Sequence, residues 1–488
     1  MKKFLTLSLM VFALMAQAKV YTLPQLAELV PAMEDGTGVT VLENGSYVIN
    51  LPASLPEGTT GIGYDDNNIV LSKNYFTING DLVVNAGEVL LFGGSASMEI
   101  NGNFTATDAT FGAAEGSEGT AKGFRMYTEG VSATLNNCTF NYVGINYGNG
   151  TEEGCLIARN CIFKDHNSKG GNAVINFTSL SKGNIVDNCL FENPALSAVG
   201  SGANVACGIN FKNNIINKPT ASTRLYPGIN MSATGPYDIV IEGNEVHGPA
   251  ENTRSGGIAL ACLLGNPPTG TLYVRDNFVE NCSYGITLTG PGNVVMEGNT
   301  VLNNKYIANP NQGGSGINIT CNSTGEGIVA KAYMKGNHIE GNIWGVTIIG
   351  SATSVDINAG KLVEEETRRV LDPSEEDYNP GENEFVDNIG TDDYPHCDWF
   401  NNTPALSYAQ GNFWSVEVQD EEHISQNIYT MDGTTESVSF MPAGGTTTAI
   451  TDVKSDVKQI SGRYNLLGQP VDANYRGIVI ENGKILVK

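Results

Sequence analysis

The chain has 488 residues, 58 of them glycine, with only 16% charged residues and a formal charge of −25. A field of that sign repels DNA, RNA and anionic lipid, which excludes a nucleic-acid partner. Few charges and many glycines point instead to a turn-rich β protein with buried strand faces.

Lys2 and Lys3, the apolar run Phe4 to Met15, and Ala16-Gln17-Ala18 read as a secretory signal peptide over residues 1–18. The run is too short to span a bilayer, and no later stretch reaches the roughly 18 apolar residues a transmembrane segment needs. The protein is therefore expected to be secreted, with a charge of −27 once Lys2 and Lys3 are removed. Residues 19–443 form the body. LPQLAELVPAME, from Leu23 to Glu34, has helical spacing, and GTGVTVLENGSYVI then alternates as a strand. A helix here caps the open end of the strand-rich body, because an exposed sheet end invites aggregation.

From there one short pattern recurs: a polar or glycine pair, then Asn or Cys, then one residue and an apolar one. It reads NNCTF, RNCIF, DNCLF, KNNII, EGNEV, RDNFV, EGNTV, KGNHI and GENEF. The central residues are Cys138, Cys161, Cys189, Asn214, Asn244, Asn277, Asn299, Asn337 and Asn383, separated by 22 to 46 residues. A second pattern, Gly followed by alternating apolar residues, begins at Gly208, Gly228, Gly257, Gly285, Gly316 and Gly345. Repeats of this period, stacked, make an all-β fold: a right-handed parallel β-helix, or solenoid. Asn suits the turn because it tolerates left-handed backbone, and its amide can bond the equivalent amide one coil away, at the ~4.8 Å strand spacing. Cysteine, small and apolar, takes that place in the first three coils. Since these cysteines occupy ladder positions, the nine thiols are expected to be free, although neighbouring coils bring them near disulfide range. No C-x-x-C pair or paired histidine spacing suggests a transition metal.

The closing segments GENEFVDN, WFNNTPALSYAQGNFW (Trp399 to Trp414), NIYTMDG and VSFMPA resemble the last coils of exported Bacteroidetes β-helix proteins of the pectin-lyase-like superfamily. Phe413 in QGNFW stands where those proteins carry Tyr. After a linker, residues 444–458, the tail 459–488 reads as a small β unit. This tail, ISGRYNLLGQPVDANYRGIVIENGKILVK, resembles a type IX secretion sorting segment, with Lys484 and Lys488 at its basic end. That resemblance implies attachment to the outer cell surface.

The superfamily holds polysaccharide lyases and hydrolases and also non-catalytic adhesins, so fold is only a prior for activity. The hydrolase set NTD, DD, GHG and RIK is absent, and the lone pair Asp392-Asp393 lies in the closing segment. A lyase of this fold needs a base and cations around a uronate. The best candidates are Lys164, Asp165 and His166 in KDHNSK, with Arg224 and Arg254 nearby in the repeat. For stacking on sugar rings the candidates are Tyr226, Tyr284 and Trp344; the last two both directly precede the glycine of a repeat strand. Acidic groups at Asp65-Asp66, Glu364 to Glu366, Glu375 to Asp377 and Asp420 to Glu422 are candidates for Ca²⁺, though none has the calcium-loop pattern. The expectation is a protein that binds extracellular polysaccharide or surface glycan along its side, without a recognised catalytic set. The alternatives are a lyase or hydrolase with an unrecognised site, and an adhesive surface component.

Overall fold

The computed structural model describes residues 18–444, apart from 168, 170, 219–225, 250–254, 265–266, 324, 326 and 396, together with three strands of the tail. Residues 1–17 of the expected signal peptide, and the linker beyond Gly444, lie outside the described residues. Three sheets run the length of the body: sheet A with 14 strands, sheet B with 13 and sheet C with 15. Each coil steps through them in turn. Thr271–Arg275 lies in sheet A, Phe278–Glu280 in B and Ile286–Thr289 in C, and Gly292–Glu297 opens the next coil in A. Pairing is parallel and in register, so Val246, Val279, Val301, Ile339 and Phe385 form one file in sheet B. The fold is a parallel β-helix, wound in the right-handed sense that parallel crossovers adopt almost without exception. Antiparallel pairs in the body occur near its start, as in Gly38–Val41 with Tyr47–Asn50.

The repeated Asn/Cys position lies between sheets A and B and points inward. Asn214, Asn244, Asn277, Asn299 and Asn337 are all buried. Each amide oxygen accepts both the backbone N–H and the side-chain amide of the Asn one coil earlier: Asn244 Oδ1 takes both at 3.0 Å, and Asn277 Oδ1 takes them at 3.0 and 2.9 Å. The file continues through Asn383 to Asn412, in the QGNFW segment. Each Nδ2 also reaches a strand carbonyl, Phe211 for Asn244 and Ile241 for Asn277. At the other end Cys189 Sγ accepts the backbone N–H of Cys161 at 3.4 Å, and the Cys189 N–H donates to Asn214 Oδ1 at 2.9 Å. All nine cysteines are free.

The left-handed residue is not the expected ladder residue but its predecessor: Asn137, Asn160, Asn188, Asn213 and Asp276 have φ of 52–55°, and Gly243 has φ 66°. The sharp reversal happens there, which frees the next side chain to point inward. A short strand in sheet B also separates the two repeated patterns. Strands such as Glu245–His247 have three residues, too few to show a period in the sequence. The glycine strand at Gly208 lies in sheet A, within Cys207–Lys212, rather than with the other glycine strands in sheet C. Its position directly before the ladder pair Asn213-Asn214 accounts for that.

Aromatic rings fill the inner file of sheet B where the thiols stand. Phe140, Phe163 and Phe191 stack at 4.7 and 4.9 Å, a parallel arrangement imposed by in-register strands. The N-terminal helix spans Leu23–Leu29 and is shorter than expected. Thr22 and Gln25 form its capping box, Leu23 and Leu26 are buried beneath it, and Pro31 prevents its continuation. The tail strands Arg463–Asn465, Ile478–Glu481 and Lys484–Val487 pair antiparallel among themselves. No helix among the described residues is long and apolar enough to cross a membrane.

Candidate binding cleft

Along sheet C, alternate residues point outward. In Ile286–Thr289 these are Thr287 and Thr289; in Ser315–Cys321 they are Asn318 and Thr320, paired with them one coil on. All four are half-buried. They floor a cleft of about 190 Å³ with Tyr284 at one edge and the loop Pro310–Gln312 overhanging it. Asn318 organises the floor: its Oδ1 accepts the hydroxyls of Thr287, at 3.0 Å, and Thr320, at 2.9 Å. The threonine oxygens keep lone pairs for a ligand, and the Asn318 amide N–H groups remain as donors.

The loop is held by local chemistry. Asn309 Oδ1 accepts the N–H of Asn311 at 3.0 Å, and the Asn309 carbonyl accepts those of Gln312 and Gly313, an Asx turn in the sense that Asn favours. Gly314 has φ +85°, and a Cβ there would lie 2.6 Å from the Ile307 carbonyl and 3.0 Å from the Trp344 ring. Only glycine fits. Tyr284 depends on another glycine, since a Cβ at Gly256 would lie 2.1 Å from its Cζ. Its ring thus rests on the backbone of the preceding coil, and burial pushes its phenol well above the usual range, keeping it neutral.

Trp344 sits in the same file as Tyr284, with Ser315 between them. Yet the two do different things. Trp344 is 0% exposed and packs against Phe400 and Tyr394, so its ring offers no face to a ligand, contrary to the stacking expectation. Phe400 in turn stacks on Tyr429 at 4.3 Å. Tyr226 is half-buried beside the strand Ile229–Ser232, and its carbonyl accepts the hydroxyl of Ser255. Arg224 and Arg254 lie outside the described residues.

The expected convergence of Lys164, Asp165 and His166 does not occur. Lys164 ends a sheet B strand, in register with Asn141 and Glu192. Asp165 has φ +52° and accepts the amide of Asn193 at 3.1 Å. His166 is 3% exposed, with both ring nitrogens unpartnered among the described residues and its pKa lowered by burial to about 4. The left-handed turn at Asp165 drives the three side chains apart, and their coil lies four strands from Thr287 in sheet C.

Two other histidines have a different setting, on the outer face of sheet B. His338 contacts Glu384 at 2.7 Å through Nδ1 and Glu340 at 2.8 Å through Nε2; His247 contacts Glu280 at 2.8 Å and Glu245 at 3.1 Å in the same manner. A neutral imidazole has one N–H and cannot donate to both carboxylates, so the clamps favour the imidazolium. The pKa of each is raised accordingly: Glu245 is the largest influence on His247, and around His338 the two carboxylates outweigh a larger burial penalty. Several acidic groups considered for Ca²⁺ face cations of the chain: Asp65 meets Lys19, Glu375 meets Arg369 and Asp377 meets Lys361. Among the described residues no three His, Cys, Asp or Glu side chains are arranged to hold a metal ion.

No protein-family model matches the chain, and no curated protein does. Among solved structures it is similar to the periplasmic alginate epimerase AlgG. A double mutant of that enzyme superposes with a TM-score of 0.44 at 13% identity, over 88% of this chain and 84% of that one. A single mutant gives 0.43 at 12%, with the same coverage.

Proposed function

We propose that the protein is an exported β-helix protein of the pectin-lyase-like type that binds extracellular glycan in the cleft on the outer face of sheet C. The observation that carries this reading is the lining of that cleft. A neutral tyrosine ring stands beside hydroxyls and amides whose donors and acceptors face a small concave space, the combination that orients a polyhydroxylated ligand. Binding is favoured over catalysis because the cleft lining holds no carboxylate, and its one titratable side chain, Tyr284, is held neutral by burial, whereas glycoside hydrolysis uses a pair of carboxylates and uronate lysis an ionisable base. Export rests on the N-terminal Lys2-Lys3, apolar run and A-x-A site, and surface attachment on the sorting-like tail.

The test is a glycan array probed with the chain from Lys19 onward, together with assays for unsaturated uronate and new reducing ends. Binding without turnover, weakened by Asn318→Ala, is expected. Turnover abolished by Lys164→Ala or Arg254→Ala in a folded protein contradicts the binding-only reading.

A further inference from the structure

Resting on the glycan reading, we infer that the cleft receives the end of an uncharged glycan chain. Two independent features carry this, the first being charge. None of the cleft's lining residues is Asp, Glu, His, Lys or Arg. A uronate or sulfate seated there would leave water without meeting a cation, at a cost of several kcal/mol. Sugar hydroxyls suffer no such loss, because Thr287, Thr320 and the Asn318 amide replace the water they give up. At longer range the −25 charge of the chain also repels polyanions.

The second feature is a wall. The outward files of sheet C are half-exposed at Thr287, Thr289, Asn318 and Thr320, but one coil further their continuations, Thr347 and Ile349, are buried. Thr347 Oγ1 is already engaged with Ser315 Oγ at 2.7 Å. Beyond it, Phe400 continues the first of these files and is covered by Tyr429, with Tyr394 set edge-on at 5.2 Å. A polymer lying along the coils therefore finds the outward face covered one coil past Asn318, at Thr347 and Ile349, with the aromatic group of Phe400, Tyr394 and Tyr429 following, while the loop Pro310–Gln312 lies at one flank. A chain that stops at the barrier fits; one that continues does not.

The experiment is calorimetric titration of the chain with neutral polymers (a β-glucan, a mannan and a galactan) and with polygalacturonate, each intact and as a partial hydrolysate of equal mass. A neutral hydrolysate should fill more sites than its parent polymer, in proportion to chain ends. Asn318→Ala and Gln312→Ala, the latter on the exposed loop, should each weaken binding about tenfold. Preference for galacturonate oligomers, or saturation in proportion to mass, overturns this inference while leaving glycan binding intact, provided the two variants still weaken it. Silence across the panel, or binding indifferent to both variants, removes the glycan reading as well.

Discussion

The turn between sheets A and B and the turn between B and C are built on opposite plans. The first is two residues long in most coils, as at Gly243-Asn244 or Asp276-Asn277, and its inner position is filled by Asn or Cys. The second varies from two residues, Tyr142-Val143, to twelve, Asn303 to Gly314. A turn that carries a hydrogen-bonded file accepts an insertion only where its inward residue keeps its place, as Asn383 does after the long segment 359–383. Length varies from coil to coil at the B–C turn, and the cleft is found beside one of its longest members. One plan holds the coils in register; the other supplies side chains that nothing in the register demands.

The B–C turn is not free of order. Cys282, Asn304, Asn342 and Asn388 form a second inward file, with Asn304 Oδ1 accepting from Cys282 N and Asn342 Oδ1 from Asn304 N, both at 2.9 Å. Asn388 then donates to the buried Asp398 at 3.1 Å, which also accepts from Ser415 N at 2.9 Å and Asn427 Nδ2 at 3.1 Å. This shorter ladder ends on a carboxylate whose pKa burial raises to about 6, against those hydrogen bonds.

The sharpest way to break the contrast is at the first ladder. Asn277→Ala strands the backbone and side-chain donors of Asn244, and should lower unfolding free energy by about 4 kcal/mol, at 1–3 kcal/mol per buried unsatisfied group. Cys161→Ala, in the thiol part of the same file, should cost about 1 kcal/mol. Equal midpoint shifts in urea would show that the amides contribute nothing special.

Asp398 gives the second ladder a pH signature. Its folded pKa lies above the unfolded value near 3.9, so the folded state holds the proton longer and stability falls as pH rises from about 4 to 6, by roughly 3 kcal/mol. Asp398→Asn should flatten that segment of the stability profile relative to the parent chain. An unchanged slope places the effect elsewhere.

A smaller change is expected at the cleft loop. Gly314→Ala forces a side chain into a left-handed backbone beside Trp344 and should cost about 1–2 kcal/mol, with loss of glycan affinity exceeding what that destabilisation explains. The smallest effect concerns the histidine clamps. NMR titration should place the pKa of both His247 and His338 above the ordinary 6.5, so their stabilisation is complete below that value and fades as pH rises through the folded value. Glu384→Gln should return His338 toward 6.5 and leave His247 unmoved.

Much of the first plan is legible in the sequence, because Asn244, Asn277 and Asn299 repeat in one sequence context and that context has one structural use. The second file is also written there, five residues after the first in Asn277/Cys282, Asn299/Asn304, Asn337/Asn342 and Asn383/Asn388. It is hidden because the three-residue strand between the two positions has no period of its own. The cleft is half visible. Tyr284 and the strands GITLT and GINIT stand out, but alternation alone does not say which outward residues remain uncovered. Trp344 looks equivalent to Tyr284 by position, and only the packing of Tyr394 and Phe400, from the segment after it, decides that one ring is a wall and the other an edge.

Shape and binding separate in one paired measurement: the urea midpoint and the dissociation constant for a neutral oligosaccharide, determined on Asn318→Ala. The expected result is a midpoint within error of the parent chain and affinity about tenfold weaker. Unchanged affinity, or a midpoint shift as large as that of Asn277→Ala, would contradict the division between a ladder that holds the coils and a cleft that binds.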